Sequence, residues 1–154
     1  MIEVGQQAPE VRLPDQTGTP IDLRDHRGRP VLIYFYPRDD TPGCTTQACG
    51  IRDRWPEFQD AGAVVVGISA DDTESHARFA EKFDLPHRLL ADPDRKVIDA
   101  FGAWGWRTRP NGERVEGVLR TTVLLDRDGV VAGIWEAVDP TTHADDLLTA
   151  IARL

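Results

Sequence analysis

The chain has few cysteines and no excess of basic charge, and each shortage excludes a class of protein. Two cysteines in 154 residues are too few for the disulfide framework of a small secreted domain. The 18 basic residues are outnumbered by 26 acidic ones, for a net charge of −8. Non-specific binding to nucleic acid or anionic lipid needs clustered positive charge, so neither is expected.

Long apolar runs are also missing. The longest, Val31–Tyr36 and Ala61–Ala70, are too short to span a bilayer. The first residues lack the basic start and apolar stretch of a signal peptide, so we expect a cytoplasmic protein. At 17.1 kDa, with no internal repeat, residues 1–154 are expected to form a single domain large enough to bury a core.

Strand-like and helix-like segments alternate along the chain. Val31–Tyr36 is apolar throughout, the pattern of a strand that is covered on both faces. The segment Gly102–Gly117, rich in glycine, is expected to be an irregular loop. The remaining predicted elements are a hairpin within Val11–Leu23, a helix from about Gly43 with a break before a second stretch through Phe58, strands at Ala63–Ser69 and Arg88–Leu90, helices after Asp72 and over Asp94–Phe101, a hairpin of Val118–Leu125 with Val130–Glu136, and a last helix over Thr142–Leu154. Alternating β and α units predict an α/β fold with a central mixed sheet flanked by helices, as in a thioredoxin-like fold with an N-terminal β-hairpin extension.

Both cysteines lie in one segment, Pro37–Cys49, directly after the apolar strand. The pattern predicts a strand, a tight loop and then Cys44 at the start of a helix. The first turn of a helix has unpaired N–H groups and a partial positive charge, which favour a thiolate over a thiol. A thiolate at such a position is nucleophilic at neutral pH, so the segment predicts cysteine chemistry.

The spacing of Pro37, Thr41 and Cys44 matches the P-x-x-x-T-x-x-C signature of peroxiredoxins. A second cysteine five residues after the first, here Cys49, is similar to the bacterioferritin-comigratory, or Q-type, branch. The resemblance covers nearly the whole chain in order, and continues through Gly50–Asp53, Gly67–Ser69, Leu90–Pro93 and Gly117–Thr122.

This resemblance implies a role for each matching residue. Cys44 would be the peroxidatic cysteine, which attacks a hydroperoxide and becomes a sulfenic acid. The Thr41 hydroxyl would bond the thiolate or a peroxide oxygen, and Pro37 would fix the loop and shield the sulfenic acid. Arg120, on a late strand, would place a permanent cation beside the sulfur. Cys49 would be the resolving cysteine, which forms a disulfide with Cys44.

Disulfide formation would require a change in the helix. Residues five apart in a regular helix have Cα atoms roughly 8.6 Å apart, whereas a disulfide needs them within about 7 Å. We therefore expect local unwinding, made easier by Gly50 and by a break before Pro56.

Other candidate residues have simpler interpretations. Asp39 and Asp40 are expected to face solvent, because a carboxylate pointing at Cys44 would disfavour its thiolate. The four histidines are expected on the surface or in loops, as listed here in order: His26, His76, His87 and His143. Trp104 and Trp106 could pack in the core or line a contact surface for substrate or reductant. No metal site is expected, since no histidine lies near the cysteines in sequence and structural zinc needs four ligands.

The resemblance implies a thiol peroxidase that reduces hydrogen peroxide and organic hydroperoxides without a metal, haem or flavin of its own. A thioredoxin-like protein would reduce the Cys44–Cys49 disulfide, and a monomer would suffice because both cysteines lie in one chain. Two alternatives stay open. One is a general thiol–disulfide oxidoreductase, although the usual C-x-x-C motif is missing. The other is a redox-sensing or holdase protein.

Overall fold

The computed structural model describes residues 2–154. The strands are β1 (Arg12–Pro14), β2 (Pro20–Asp22), β3 (Val31–Phe35), β4 (Val64–Ser69), β5 (Arg88–Ala91), β6 (Trp104–Thr108), β7 (Arg114–Val118), β8 (Thr122–Leu125) and β9 (Val131–Trp135). The helices are α1 (Pro42–Asp53), α2 (Trp55–Asp60), α3 (Thr73–Phe83), α4 (Lys96–Ala100) and α5 (His143–Ala152), with a short 3-10 turn at Leu23–His26. No helix in this described part is both long and apolar enough to cross a membrane.

The central sheet has the strand order β5-β4-β3-β8-β9. Strands β3, β4 and β5 are parallel, whereas β8 is antiparallel to β3 and β9 is antiparallel to β8. The sheet is therefore mixed, as the alternation of elements predicts. The carboxyl ends of β3 and β4 lie at the same edge, which is where the cysteine segment leaves the sheet.

The sheet separates two hydrophobic clusters. Because side chains alternate along a strand, β3 sends Val31, Ile33 and Phe35 into one cluster, and Leu32 and Tyr34 into the other. The first cluster is closed by α4 and the N-terminal hairpin, and the second by α1, α2, α3 and α5. This double coverage explains why every residue of β3 is buried and apolar.

The two predicted hairpins are confirmed, and an unexpected third is present. β1 pairs with β2, and β8 pairs with β9 around the Asp126–Gly129 turn. The segment Gly102–Gly117, expected to be an irregular loop, instead contains most of the antiparallel hairpin β6–β7. The expected strand over Val118–Leu125 is correspondingly wrong at its start, since β7 ends at Val118 and β8 begins only at Thr122.

The cysteine helix is regular, and the predicted break before a second helical stretch is confirmed. α1 continues through Gly50 and ends at Asp53, and Arg54 separates it from α2. Its buried side chains are Cys44, Gln47, Ala48 and Ile51, at the i, i+3, i+4 and i+7 spacing of one helical face. That face fixes Cys44 against the sheet, while Cys49 lies off it and is only half-buried.

Candidate active site

The first turn of α1 holds Cys44. The helix has Thr41 as its N-cap and Pro42 at its first position, where the missing N–H costs nothing. Cys44 is therefore in the turn whose backbone N–H groups have no acceptor within the helix. Its side chain is 1% exposed. A thiolate here lies in the positive field of the helix N-terminus and is protected from water.

Arg120 provides a full positive charge at the same sulfur. One guanidinium nitrogen, Nη2, donates to Cys44 Sγ at 3.4 Å, and Nη1 donates to Gln47 Oε1 at 2.7 Å. Arg120 lies in the link just before β8 and not on the strand itself. Glycine at position 43 leaves room for this approach, because a Cβ there would lie 3.0 Å from Nη2 and the guanidinium would have to shift by a few tenths of an ångström.

A buried polar chain behind Arg120 holds the guanidinium in place. The Gln47 amide nitrogen, Nε2, lies 3.2 Å from His143 Nδ1, and His143 Nε2 lies 2.7 Å from Thr122 Oγ1. Burial, together with the nearby charge of Arg120, lowers the pKa of His143 to about 4. A neutral imidazole with a donor on one side and a hydroxyl on the other can accept from the Gln47 amide, which leaves Gln47 Oε1 to accept from Arg120.

Three of the four histidines are buried, so the expectation of surface or loop positions is wrong for them. His76, His87 and His143 are fully or almost fully buried. His87 Nε2 contacts the Tyr34 hydroxyl at 2.7 Å, and burial lowers the pKa of His87 to about 3. Each makes a hydrogen bond to a residue far away in sequence, and no local pattern marks such a contact.

The two cysteines differ in their surroundings. Burial is the main cause of a raised pKa at Cys49, and the charge of Asp53 adds to it while Arg52 opposes it. Cys49 is thus held as a thiol at neutral pH and is a poor first nucleophile. Both cysteines are free, and they lie in one regular helix. Their five-residue spacing keeps their Cα atoms about 8.6 Å apart, too far for a disulfide.

The loop before α1 brings Pro37 and Thr41 to the site. The Thr41 hydroxyl donates to the Arg38 carbonyl at 2.9 Å, so its oxygen lone pairs stay available as acceptors. Asp40 is exposed, as expected, and pairs with Lys82. The same expectation is wrong for Asp39, which is 8% exposed and accepts a hydrogen bond from the buried Tyr36 hydroxyl at 2.6 Å.

A cavity of about 720 Å³ opens next to Arg120, whose guanidinium contacts Cys44 Sγ. Pro37, Gly43 and Arg120 line the end nearest the sulfur, and most of the remaining wall is apolar. The hairpin β6–β7 forms one side, where Trp106 lines the cavity and is 61% exposed. Trp104 packs against the first hydrophobic cluster, with the Arg95 guanidinium 4.1 Å from its ring centre.

Comparison with known proteins agrees with this geometry. The family model described as AhpC/TSA matches residues 4–134. The chain belongs to the AhpC/TSA family. A Bcp-type peroxiredoxin of Coxiella burnetii is 43% identical, and the alignment covers 96% of this chain and 97% of that protein.

Solved structures of peroxiredoxins of the same branch superpose closely. A Xanthomonas campestris bacterioferritin comigratory protein, described for its alkyl peroxide reduction activity, is 34% identical, with a TM-score of 0.88 and 98% of each chain covered. The peroxidoxin BcpB of Mycobacterium tuberculosis is 35% identical, with a TM-score of 0.88. The superposition covers 100% of this chain and 99% of that one. The chain is thus a Bcp, or Q-type, peroxiredoxin with the thioredoxin-like fold expected from its sequence, and it is a thiol-dependent peroxidase.

Removing the Arg120 guanidinium should slow the attack of this peroxiredoxin on peroxide. We expect Arg120→Ala to lower the second-order rate constant about 100-fold, because a preorganised donor at a developing charge is lost. The rate constant of Arg120→Lys should lie between those of the wild type and Arg120→Ala, because one ammonium group cannot contact both Cys44 and Gln47 as the guanidinium does. Stopped-flow measurement of the oxidation phase gives both rate constants.

The matched control is Arg109→Ala, which removes an exposed arginine that pairs with Glu113 on the neighbouring hairpin. It changes net charge equally and should leave the rate within about twofold. Equal slowing in both variants would show that the net positive charge of the region matters and the Arg120 contact does not.

The buried His143 should make the peroxiredoxin less stable in acid. In the unfolded chain the imidazole binds a proton below about pH 6.5, whereas the folded protein binds it only near pH 4. Between these values the unfolded state holds more protons, so the free energy of unfolding falls as pH falls. One proton contributes at most about 1.4 kcal/mol per pH unit.

Urea unfolding of the wild type and His143→Gln at several pH values between these limits measures this contribution. The free energy of unfolding of the variant should depend less steeply on pH than that of the wild type. The contribution of His87 to the pH dependence should remain. Parallel curves for the two proteins would contradict the assignment, whatever their absolute stabilities.

Proposed function

We propose that Cys44 is the peroxidatic cysteine, Cys49 the resolving cysteine, and Pro37, Thr41 and Arg120 the residues that prepare Cys44 for attack. The observation that carries this proposal is the Cys44 sulfur itself, buried in the first turn of α1 with the Arg120 guanidinium 3.4 Å away. A helix N-terminus and a permanent cation both stabilise a thiolate, and burial limits its hydration.

In the first step the Cys44 thiolate attacks the terminal oxygen of a hydroperoxide. The S–O bond forms as the O–O bond breaks, so sulfur is oxidised and the peroxide leaves as an alkoxide or hydroxide that takes up a proton. Arg120 donates toward the charge that develops on the peroxide oxygens. The Thr41 oxygen, whose own hydrogen points to Arg38, accepts from the peroxide O–H and aligns it.

In the second step the Cys49 thiol attacks the Cys44 sulfenic acid and releases water. The product is an intramolecular disulfide, which closes only after α1 unwinds between the two residues. A dithiol reductant of the thioredoxin type then supplies two electrons by disulfide exchange and returns both cysteines to thiols.

The substrates proposed are hydrogen peroxide and organic hydroperoxides. The largely apolar cavity next to Arg120 has room for an organic group, and the Xanthomonas campestris relative is described for alkyl peroxide reduction. The proposal includes a cytoplasmic monomer, formed by residues 1–154 as one domain. The acidic net charge of −8 supports a function that involves neither nucleic acid nor a membrane surface.

Mixing reduced protein with one equivalent of hydrogen peroxide tests both cysteine assignments. The wild type should lose both thiols and two hydrogens, as seen by intact mass. Cys44→Ser should not react faster than an unactivated thiol, whereas Cys49→Ser should react once and stop at a sulfenic acid, which dimedone captures. Rapid turnover by Cys44→Ser would overturn the assignment.

Gly50→Ala should slow disulfide closure without changing the rate of peroxide attack. A Cβ at this position meets no atom within 4 Å, so the change adds helix propensity without a clash. Alanine should stabilise the reduced helix by up to about 1 kcal/mol and so slow disulfide closure, because closure requires unwinding. The rate of peroxide attack should not change. Slowing of attack with normal closure would show that Gly50 acts on Cys44 and not on unwinding.

A further inference from the structure

A buried polar cluster joins the loop before α1 to the region of α3. The Asp39 carboxylate accepts hydrogen bonds from Tyr36 and Ser75, at 2.6 and 2.8 Å, and pairs with His76 Nδ1 at 2.7 Å. His76 is completely buried, and Asp39 nearly so. The cluster therefore ties the loop before α1 to helix α3.

Hydrogen bonds on both sides hold Asp39 and His76 together. His76 Nε2 lies 2.9 Å from the Leu90 carbonyl, which can only accept, so Nε2 carries a hydrogen. The Asp39 carboxyl group accepts from the Tyr36 and Ser75 hydroxyls. Its Oδ2 atom also shares one hydrogen with His76 Nδ1 across 2.7 Å, and this contact joins the loop to α3.

Asp71 completes the cluster from the loop before α3. Its Oδ2 accepts from the Asp39 backbone N–H at 2.9 Å and from the Ser69 hydroxyl at 2.6 Å. Asp39, Asp71 and His76 are residue types that also bind metals, and the ligand atoms are close enough. Here the ligand atoms hydrogen-bond to one another and to neighbouring donors, which accounts for the cluster without an ion.

One peptide group connects the cluster to the reacting atoms. The N–H of Asp39 and the C=O of Arg38 belong to the same planar peptide unit. Its N–H side donates to Asp71, and its C=O side accepts from the Thr41 hydroxyl. Rotation of this unit would move the acceptor that orients Thr41.

We propose that Asp39 and Asp71, supported by His76, are positioning residues. By fixing the Arg38–Asp39 peptide plane they hold the Thr41 hydroxyl hydrogen on the Arg38 carbonyl, so that the Thr41 oxygen can accept from the peroxide. The proposal rests on the proposed function, since it gives the cluster a role in the peroxide step. Neither carboxylate touches the sulfur or the substrate. Their effect is transmitted through one backbone group to the Thr41 oxygen.

A double-mutant cycle with Thr41→Val tests this transmission. Asp71→Ala, and separately Asp39→Asn, should slow peroxide attack about tenfold or more in the wild-type background, because small displacements at a reacting group are costly. In the Thr41→Val background, where no hydroxyl remains to be oriented, the same changes should slow attack by less than about twofold. The disulfide-closing phase should keep its rate in all of these proteins.

The control is Asp40→Asn, a charge-neutralising change at the adjacent but exposed carboxylate, which should leave attack within about twofold. If Asp39→Asn does not fold, Ser75→Ala removes one hydroxyl donor to the same carboxylate and should show a smaller slowing that also depends on Thr41. Equal slowing with and without the Thr41 hydroxyl, or no slowing in folded variants, would overturn the proposal. Failure of the wild type to consume peroxide would instead overturn the proposed function.

Discussion

Helix geometry at α1 is the constraint on which the site depends. The helix creates the environment of Cys44, because only the folded helix places the sulfur at its positive N-terminal end and brings Gln47 Oε1 to 2.7 Å from Arg120 Nη1. The same regular helix keeps Cys49 out of reach of Cys44. The protein therefore needs α1 folded for the attack on peroxide and unwound for the disulfide. It cannot satisfy both requirements in one conformation.

In the proposed mechanism, oxidation of Cys44 would itself shift the balance between the folded and unwound forms of α1. The thiolate is attracted to Arg120 and to the positive end of the helix, and these attractions stabilise the folded turn. A sulfenic acid is neutral when protonated, so it loses most of that attraction. In the proposed mechanism, unwinding would then cost less after attack than before it, and the population of unwound protein would rise when Cys49 must reach Cys44. Gly50, which weakens the helix beside Cys49, acts in the same direction.

Local patterns in the sequence were sufficient to predict most elements of the fold. The apolar run at β3 and the P-x-x-x-T-x-x-C spacing predicted the strand, the loop and the helix start at Cys44, because each depends on neighbouring residues. The hairpin β6–β7 was missed because its strands face the core only in part, so their hydrophobic alternation is weak. Asn111-Gly112, with Gly112 at a positive φ of 86°, was the turn signal that marked it.

The burial of the polar residues could not be predicted from the sequence, because their hydrogen-bond partners lie in elements that are distant along the chain. Asp39 was expected in solvent, yet it meets His76, 37 residues away, and Gln47 meets His143, 96 residues away. The two ends of α1 therefore differ in how firmly the rest of the fold holds them. Upstream, the hydrogen bond between Asp39 and His76 fixes the loop to α3, and downstream Gly50 and the break at Arg54 leave the helix weak. In the proposed mechanism, α1 would therefore unwind near Cys49, while the loop that carries Thr41 keeps its position.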